Sequence, residues 1–287
     1  MKWGISTYSL YQALAAGEMD ILGVIDWIAD QGAEHVEIVP EGTPLQGNPE
    51  LVQAVRQRAD ERGLLISNYA IGANFLTDSE EAFAQEISRV KGEVDVAVKL
   101  GASYMRHDVV SFDVTDTSIH HFNRQVERLA DACRQIAEYA APFGITTSVE
   151  NHGFFVQASD RVQTLVKAVD RPNFRTTLDV GNFACVDEDS AAAVNSNLPY
   201  ASIVHLKDFY RRPSYQNPGE GWFRSTSGNY LRGAIAGQGD LDMRDILRVI
   251  KHSGYDGFIS LEFEGLEECK LGTSIGFANI KRLWNEA

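Results

Sequence analysis

Apolar positions along this chain switch repeatedly between two periods. Short runs such as WGISTY, HVEIVP and LLISNYAI are mostly apolar or β-branched and read as buried strands. Between them apolar residues recur at helical spacing. In ILGVIDWIADQG these are Ile21, Val24, Ile25 and Ile28, with Gly32 as the stop. Pro49 opens and Gly63 closes the helix PELVQAVRQRADERG, and the long helix EEAFAQEISRVKGEVDVAVKLG ends at Gly101. The alternation continues with SYMRHDVV as strand four and TSIHHFNRQVERLADACRQIAEYAAPFG as its helix. ITTSVE is strand five, and SDRVQTLVKAV is a helix capped by Ser159 or Asp160. FRTTLDV is followed by a short helix near DSAAAVNSN, ASIVHLKD by DMRDILRVIKHSG, and FISLEFE by the closing TSIGFANIKRLWNEA.

Eight evenly spaced βα units predict an α/β fold, a single (β/α)8 TIM barrel occupying residues 1–287. A doubly wound sheet is the alternative, and even spacing favours closure. No Pro/Gly/Ser-rich linker divides the chain. The one long irregular stretch, Tyr210 to Asp240, follows strand seven and is expected to lie over the C-terminal face as a lid or binding loop. Phe277, Ile280, Leu283 and Trp284 are expected to pack the last helix onto the barrel.

Composition narrows the function. The 287 residues are 44% apolar and 23% charged, enough for a sizeable core. A net charge of −14 argues against nucleic acid as a partner. The three cysteines, Cys133, Cys185 and Cys269, form no metal-binding pair and no disulfide framework, so free thiols in a reducing compartment are expected. No signal peptide is evident, and no apolar run approaches the roughly 18 residues of a membrane span. A cytoplasmic enzyme without a membrane partner is the expectation.

Candidate chemistry lies at the strand ends. Glu150 ends ITTSVEN, Asp179 ends RTTLDV, His205 lies near the end of SIVHLKD and Glu262 near the end of FISLEFEG. A strand-end acid is often only a helix cap or an ion-pair partner. These four fall on consecutive strands five to eight, whose ends open on one face of a barrel. Adjacent strands lie about 4.8 Å apart, so the four side chains can surround one ion. Three carboxylates would repel one another without a cation. Three carboxylates and an imidazole suit a hard or borderline divalent metal.

The segments SVEN, LDVGN, VHLKDF and SLEFEG together resemble the metal-binding strand ends of the xylose-isomerase-like TIM barrels. That superfamily of sugar isomerases and epimerases includes ketose 3-epimerases, inosose isomerases and dehydratases. The resemblance covers essentially the whole chain. It implies that Glu150, Asp179, His205 and Glu262 hold one Mn²⁺, Mg²⁺ or Co²⁺ ion, with Glu150 and Glu262 as the proton-transfer pair. It also implies a metal-dependent isomerase or epimerase acting through an enediolate on a small keto sugar or inosose, and an oligomer. A lyase using the same site, either an inosose-type dehydratase or a 3-keto-glycoside β-eliminase, is the alternative. An AP endonuclease-like repair enzyme is disfavoured by the histidine-poor strand ends and the charge of −14. A non-catalytic barrel is the bland reading.

Further residues are candidates for substrate contact. Arg211, six residues past His205, matches a substrate-contacting arginine of the ketose epimerases, or is a solvated loop residue. Asn182 stands three residues after Asp179, where those enzymes carry a histidine, a departure that argues against a plain ketose 3-epimerase. Lys207 is either a ligand for substrate oxygen or structural. Glu37 ends strand two, His107 follows strand four, and His152 lies two residues past Glu150. Trp222 and Arg232 either pack over a sugar ring or fasten their loop to the barrel. Glu264 shares the parity of Glu262. His35, His120, His121 and His252 read as surface or helix residues. GQGDLD and PGEGW do not join a strand to a helix, so no nucleotide cofactor is expected.

Overall fold

A computed structural model describes residues 1–40 and 42–287. Its frame is a closed barrel of eight parallel strands. These are β1 (Lys2–Ser6), β2 (His35–Ile38), β3 (Leu65–Ile71), β4 (Tyr104–His107), β5 (Thr146–Glu150), β6 (Phe174–Asp179) and β7 (Ala201–Leu206). The eighth, β11 (Phe258–Leu261), pairs with both β7 and β1 and closes the ring. The doubly wound alternative is thereby excluded.

Helices return the chain between strands: α1 (Tyr11–Ala15) and α2 (Ile21–Asp30), then α3 (Pro49–Glu61), α4 (Glu80–Leu100) and α5 (Ile119–Ala140). They are followed by α6 (Ser159–Val169), α7 (Ser190–Asn197), α8 (Met243–His252) and α9 (Cys269–Glu286). Side-chain caps start most of them. The Asp20 carboxylate accepts from the Gly23 amide, and Ser79 Oγ from Ala82. Helix α6 departs from the sequence expectation. Its N-cap is Ala158, and the Ser159 amide and hydroxyl both donate to Glu188. A distant carboxylate has replaced the local cap. Phe277, Ile280 and Leu283 are buried against the barrel, as their spacing suggests. Among the described residues no helix is long and apolar enough to cross a membrane.

The stretch from Tyr210 to Asp240 is not an irregular loop. It holds a three-stranded antiparallel sheet of β8 (Asp208–Arg212), β10 (Tyr230–Ala234) and β9 (Phe223–Arg224). Its register sets Arg232 opposite Tyr210, with the guanidinium 4.8 Å from the Tyr210 ring centre and 5.5 Å from that of Trp222. Cation–π stacking thus takes the place of the apolar alternation that would have marked a strand. Two buried or half-buried acids fasten the sheet. Asp208 Oδ2 accepts from the amides of Gly237 and Gly239. Asp187 accepts from Ser225 Oγ, the Ser227 amide, Asn229 Nδ2 and Arg211 Nη2.

His35 is a second departure: it lies wholly buried in β2. Its Nε2 donates to the Ile259 carbonyl at 3.2 Å, leaving Nδ1 to accept from Ser67 Oγ at 2.8 Å. The ring fills space that Gly4 leaves open, since a Cβ at residue 4 would come within 2.3 Å of it. Burial pushes this imidazole down to about 4 from its usual 6.5. A depressed histidine stabilises the fold fully above pH 6.5 and loses that contribution as pH falls through about 4. The shift corresponds to roughly 3 kcal/mol. Urea unfolding between pH 7 and 4 should show this loss, and His35→Asn should flatten it. An unchanged pH slope in that variant would assign acid sensitivity elsewhere.

Candidate metal centre and cavity

Strand register alone gathers the four strand-end residues. Asp179 and His205 are direct partners between β6 and β7, and Glu150 pairs with Thr177, two positions before Asp179. Leu261 pairs with Leu206, and the following residue, Glu262, donates its amide to the Leu206 carbonyl. One ligand-capable atom from each of Glu150, Asp179, His205 and Glu262 lies within 4.8 Å of every other. All four residues are buried.

Neighbours fix each member. Asp179 Oδ1 accepts from the amides of Gly181 and Asn182, and Asn151 brackets the Asp179 backbone with two hydrogen bonds. Glu150 Oε2 accepts from Arg106 Nε at 2.8 Å, and Oε1 from Asn182 Nδ2 at 3.0 Å. His205 Nε2 donates to Glu37 Oε2 at 2.7 Å, while Asn68 Nδ2 steadies the same carboxylate at 2.8 Å. Lys207 Nζ stands 2.8 Å from Glu262 Oε2, 3.1 Å from Glu264 Oε2 and 3.7 Å from Asp179 Oδ2.

Two atoms remain. Asp179 Oδ2 and His205 Nδ1 are buried without a hydrogen-bond partner. The Glu37 contact holds a proton on Nε2, so Nδ1 is the ring atom that would meet a cation once its own proton has left. Buried polar atoms without partners are costly. Two of them inside a group of carboxylates fit a divalent cation.

Electrostatics agree with that fit. Burial, reinforced by Glu150 and Glu262, lifts the Asp179 carboxyl to about 6. Burial also raises Glu150, but Arg106 and His205 outweigh it and hold the carboxyl below its usual value. Lys207 and His205 do the same for Glu262. For His205 burial opposes charge, and Glu37 overrides it, lifting the ring to about 10. A cation entering at Nδ1 would therefore release a proton.

The cluster opens into a cavity of about 560 Å³. Glu37, His205, Lys207, Glu262 and Glu264 line its floor. Its walls come from the ends of β1 to β4, with Tyr8, Pro40, Gly72, Asn74, Ser111 and Phe112, from Glu86 and Arg89 on α4, and from His152 just after β5. Glu150 is covered by Arg106 and Asn182, so Glu262 presents its carboxylate to the cavity while Glu150 does not.

Several sequence candidates lie elsewhere. Asn182 is buried against Glu150. His107 is buried beneath the floor between Phe75 and Phe174, its Nδ1 bonded to the Asp108 carbonyl. Arg211 is exposed and bound to Asp187, and Trp222 and Arg232 belong to the stacked sheet. None of the residues 210–240 lines the cavity among those described. Conversely, Arg106, Asp108 and Phe112 line the cavity without having been singled out. A signal for Arg106 was present: a charged residue inside a strand run needs a buried partner.

A barrel with an acid–imidazole cluster at its strand ends defines the class. The chain belongs to the xylose isomerase-like TIM barrel family, whose model matches residues 25–280. The inosose dehydratase of Lactiplantibacillus plantarum is 22% identical over 207 residues, which is 70% of this chain and 68% of that protein. The 3-keto-D-glucoside 4-epimerase YcjR of E. coli superposes with a TM-score of 0.73 at 14% identity, covering 98% of this chain and 99% of the other. The IolI protein with a bound zinc atom superposes with a TM-score of 0.75 at 16% identity, covering 100% and 97%. The structural likenesses are of fold.

The hydrogen bond that His205 donates to Glu37 orients the ring and raises its basicity as a ligand. Glu37→Gln should weaken divalent-ion affinity by about 10- to 100-fold. Titration calorimetry with Mn²⁺ on chelator-stripped protein measures this, and an unchanged affinity would leave Glu37 without that role.

Proposed function

We propose that this protein is a divalent-metal-dependent enzyme that removes a proton beside the carbonyl of a small keto sugar or cyclitol ketone. The observation that carries the reading is the buried cluster, two of whose ligand atoms lack a hydrogen bond, beside a cavity that its members His205 and Glu262 line. An ion held by Glu150, Asp179, His205 and Glu262 would supply Lewis-acid stabilisation of an enediolate. Mn²⁺, Mg²⁺, Co²⁺ and Zn²⁺ all suit the donor set.

The chain's own groups divide the remaining work. Glu262 presents an ionised carboxylate to the cavity and takes the proton. Glu150 is shielded from the cavity by Arg106 and Asn182, so its part in returning the proton on the opposite side requires those two contacts to release it when substrate and ion are bound. Return of the proton to the opposite face of the same carbon is epimerisation, and return to the neighbouring carbon is isomerisation. Lys207 and Arg106 can donate hydrogen bonds to hydroxyl oxygens in the cavity, and Glu37 can accept one from a hydroxyl. The main reading is an isomerase or epimerase. Likeness in sequence to an inosose dehydratase supports a second outcome, expulsion of the adjacent hydroxyl.

Incubation with a panel of ketoses and inososes in D₂O and Mn²⁺ separates these. Deuterium beside the carbonyl with an unchanged molecular formula marks isomerisation or epimerisation; a product lighter by water marks dehydration. No exchange with any member would sink the enediolate reading for these substrates. Glu262→Gln and Glu150→Gln should each slow exchange by about 10²–10⁴-fold. Undiminished exchange in either variant removes that residue from proton transfer.

A further inference from the structure

Lys207 has more partners than a substrate-binding lysine requires. It is buried at the end of the β7 run, next but one after His205. Its ammonium touches one cluster carboxylate, Glu262, at 2.8 Å and faces a second, Asp179, at 3.7 Å. The unpartnered Asp179 Oδ2 is the very atom it faces. A third carboxylate, Glu264 at 3.1 Å, lies outside the group of four that can share an ion. The lysine therefore bridges the cage and a partner beyond it.

From this geometry we infer that Lys207 is the resident counter-ion of the metal cage. It stands against Glu262 and Asp179 when no divalent ion is bound, and withdraws toward Glu264 when one enters. The physical reasoning is charge balance. Carboxylates held within a few ångströms by strand register cannot move apart, so a cation beside them relieves their repulsion whether or not metal is present. An ammonium on a flexible stem supplies one at fixed stoichiometry. The same charge repels an incoming divalent ion, so it stabilises the empty cage and weakens metal binding together. Glu264 keeps the displaced ammonium from becoming a buried, unpaired charge.

This inference rests on the metal reading above and makes a paired prediction. Lys207→Gln keeps a hydrogen-bond donor for Glu262 but removes the charge. The chelator-stripped variant should melt several degrees below stripped wild type. It should also bind Mn²⁺ at least tenfold more tightly by calorimetry, and gain more in melting temperature on adding Mn²⁺. A variant that folds only with Mn²⁺ present would support the same conclusion. Lys207→Arg keeps the charge and should show no tightening. Stripped Lys207→Gln as stable as wild type, or Mn²⁺ binding unchanged or weaker, would overturn the inference. Should Lys207→Gln not fold in either condition, tightened binding by Lys207→Arg would overturn it. Wild type that binds no Mn²⁺ would instead strike the metal reading itself.

Discussion

Everything at the C-terminal face follows from one electrostatic constraint. Parallel register places Asp179 beside His205 and brings Glu150 and Glu262 to the same depth. The backbone hydrogen bonds of a closed barrel fix that spacing, so the acids cannot relax by separating. Their mutual repulsion has to be met by positive charge or by hydrogen-bond donors brought to them. Arg106, Lys207, His205 and Asn182 each answer one part of it.

The same constraint explains the unlike surroundings of Glu150 and Glu262. Arginine is charged at any working pH and offers a rigid fork, so Arg106 and Asn182 each engage one oxygen of Glu150 and shield it from the cavity. Lys207 engages a single oxygen of Glu262 and leaves the carboxylate facing open space. Two chemically identical side chains thus acquire different accessibility from their partners, not from their own positions on the barrel.

The frame was legible in the sequence because it rests on periodicity and on backbone geometry. Most barrel strands are short runs of apolar or β-branched residues, and each strand-end ligand follows from its run's position. The sheet from β8 to β10 was not legible. Its cohesion comes from Arg232 stacked on Tyr210 and Trp222 and from the distant acceptor Asp187, neither of which leaves an alternating pattern. His35 was hidden for a related reason: a histidine reads as polar unless one knows that Gly4 has vacated the space for its ring. Arg106 and Glu37 acquire meaning only through partners 44 and 168 residues away. Local chemistry was therefore readable, and pairings across the barrel were not.

The cavity also separates two duties around the ring. The cage is carried by β5, β6, β7 and β11, whereas most of the cavity wall comes from the segments after β1 to β4 and from α4, joined by His152 after β5. Those wall segments, with Gly72, Asn74 and Phe112, contribute none of the four clustered side chains. Sequence drift there can reshape what enters without disturbing the charged floor. The loops beyond β1 to β4 are thus separate from the cage even though Glu37 on β2 and Arg106 on β4 serve it, so a single scaffold can vary the molecule it admits from its loops alone.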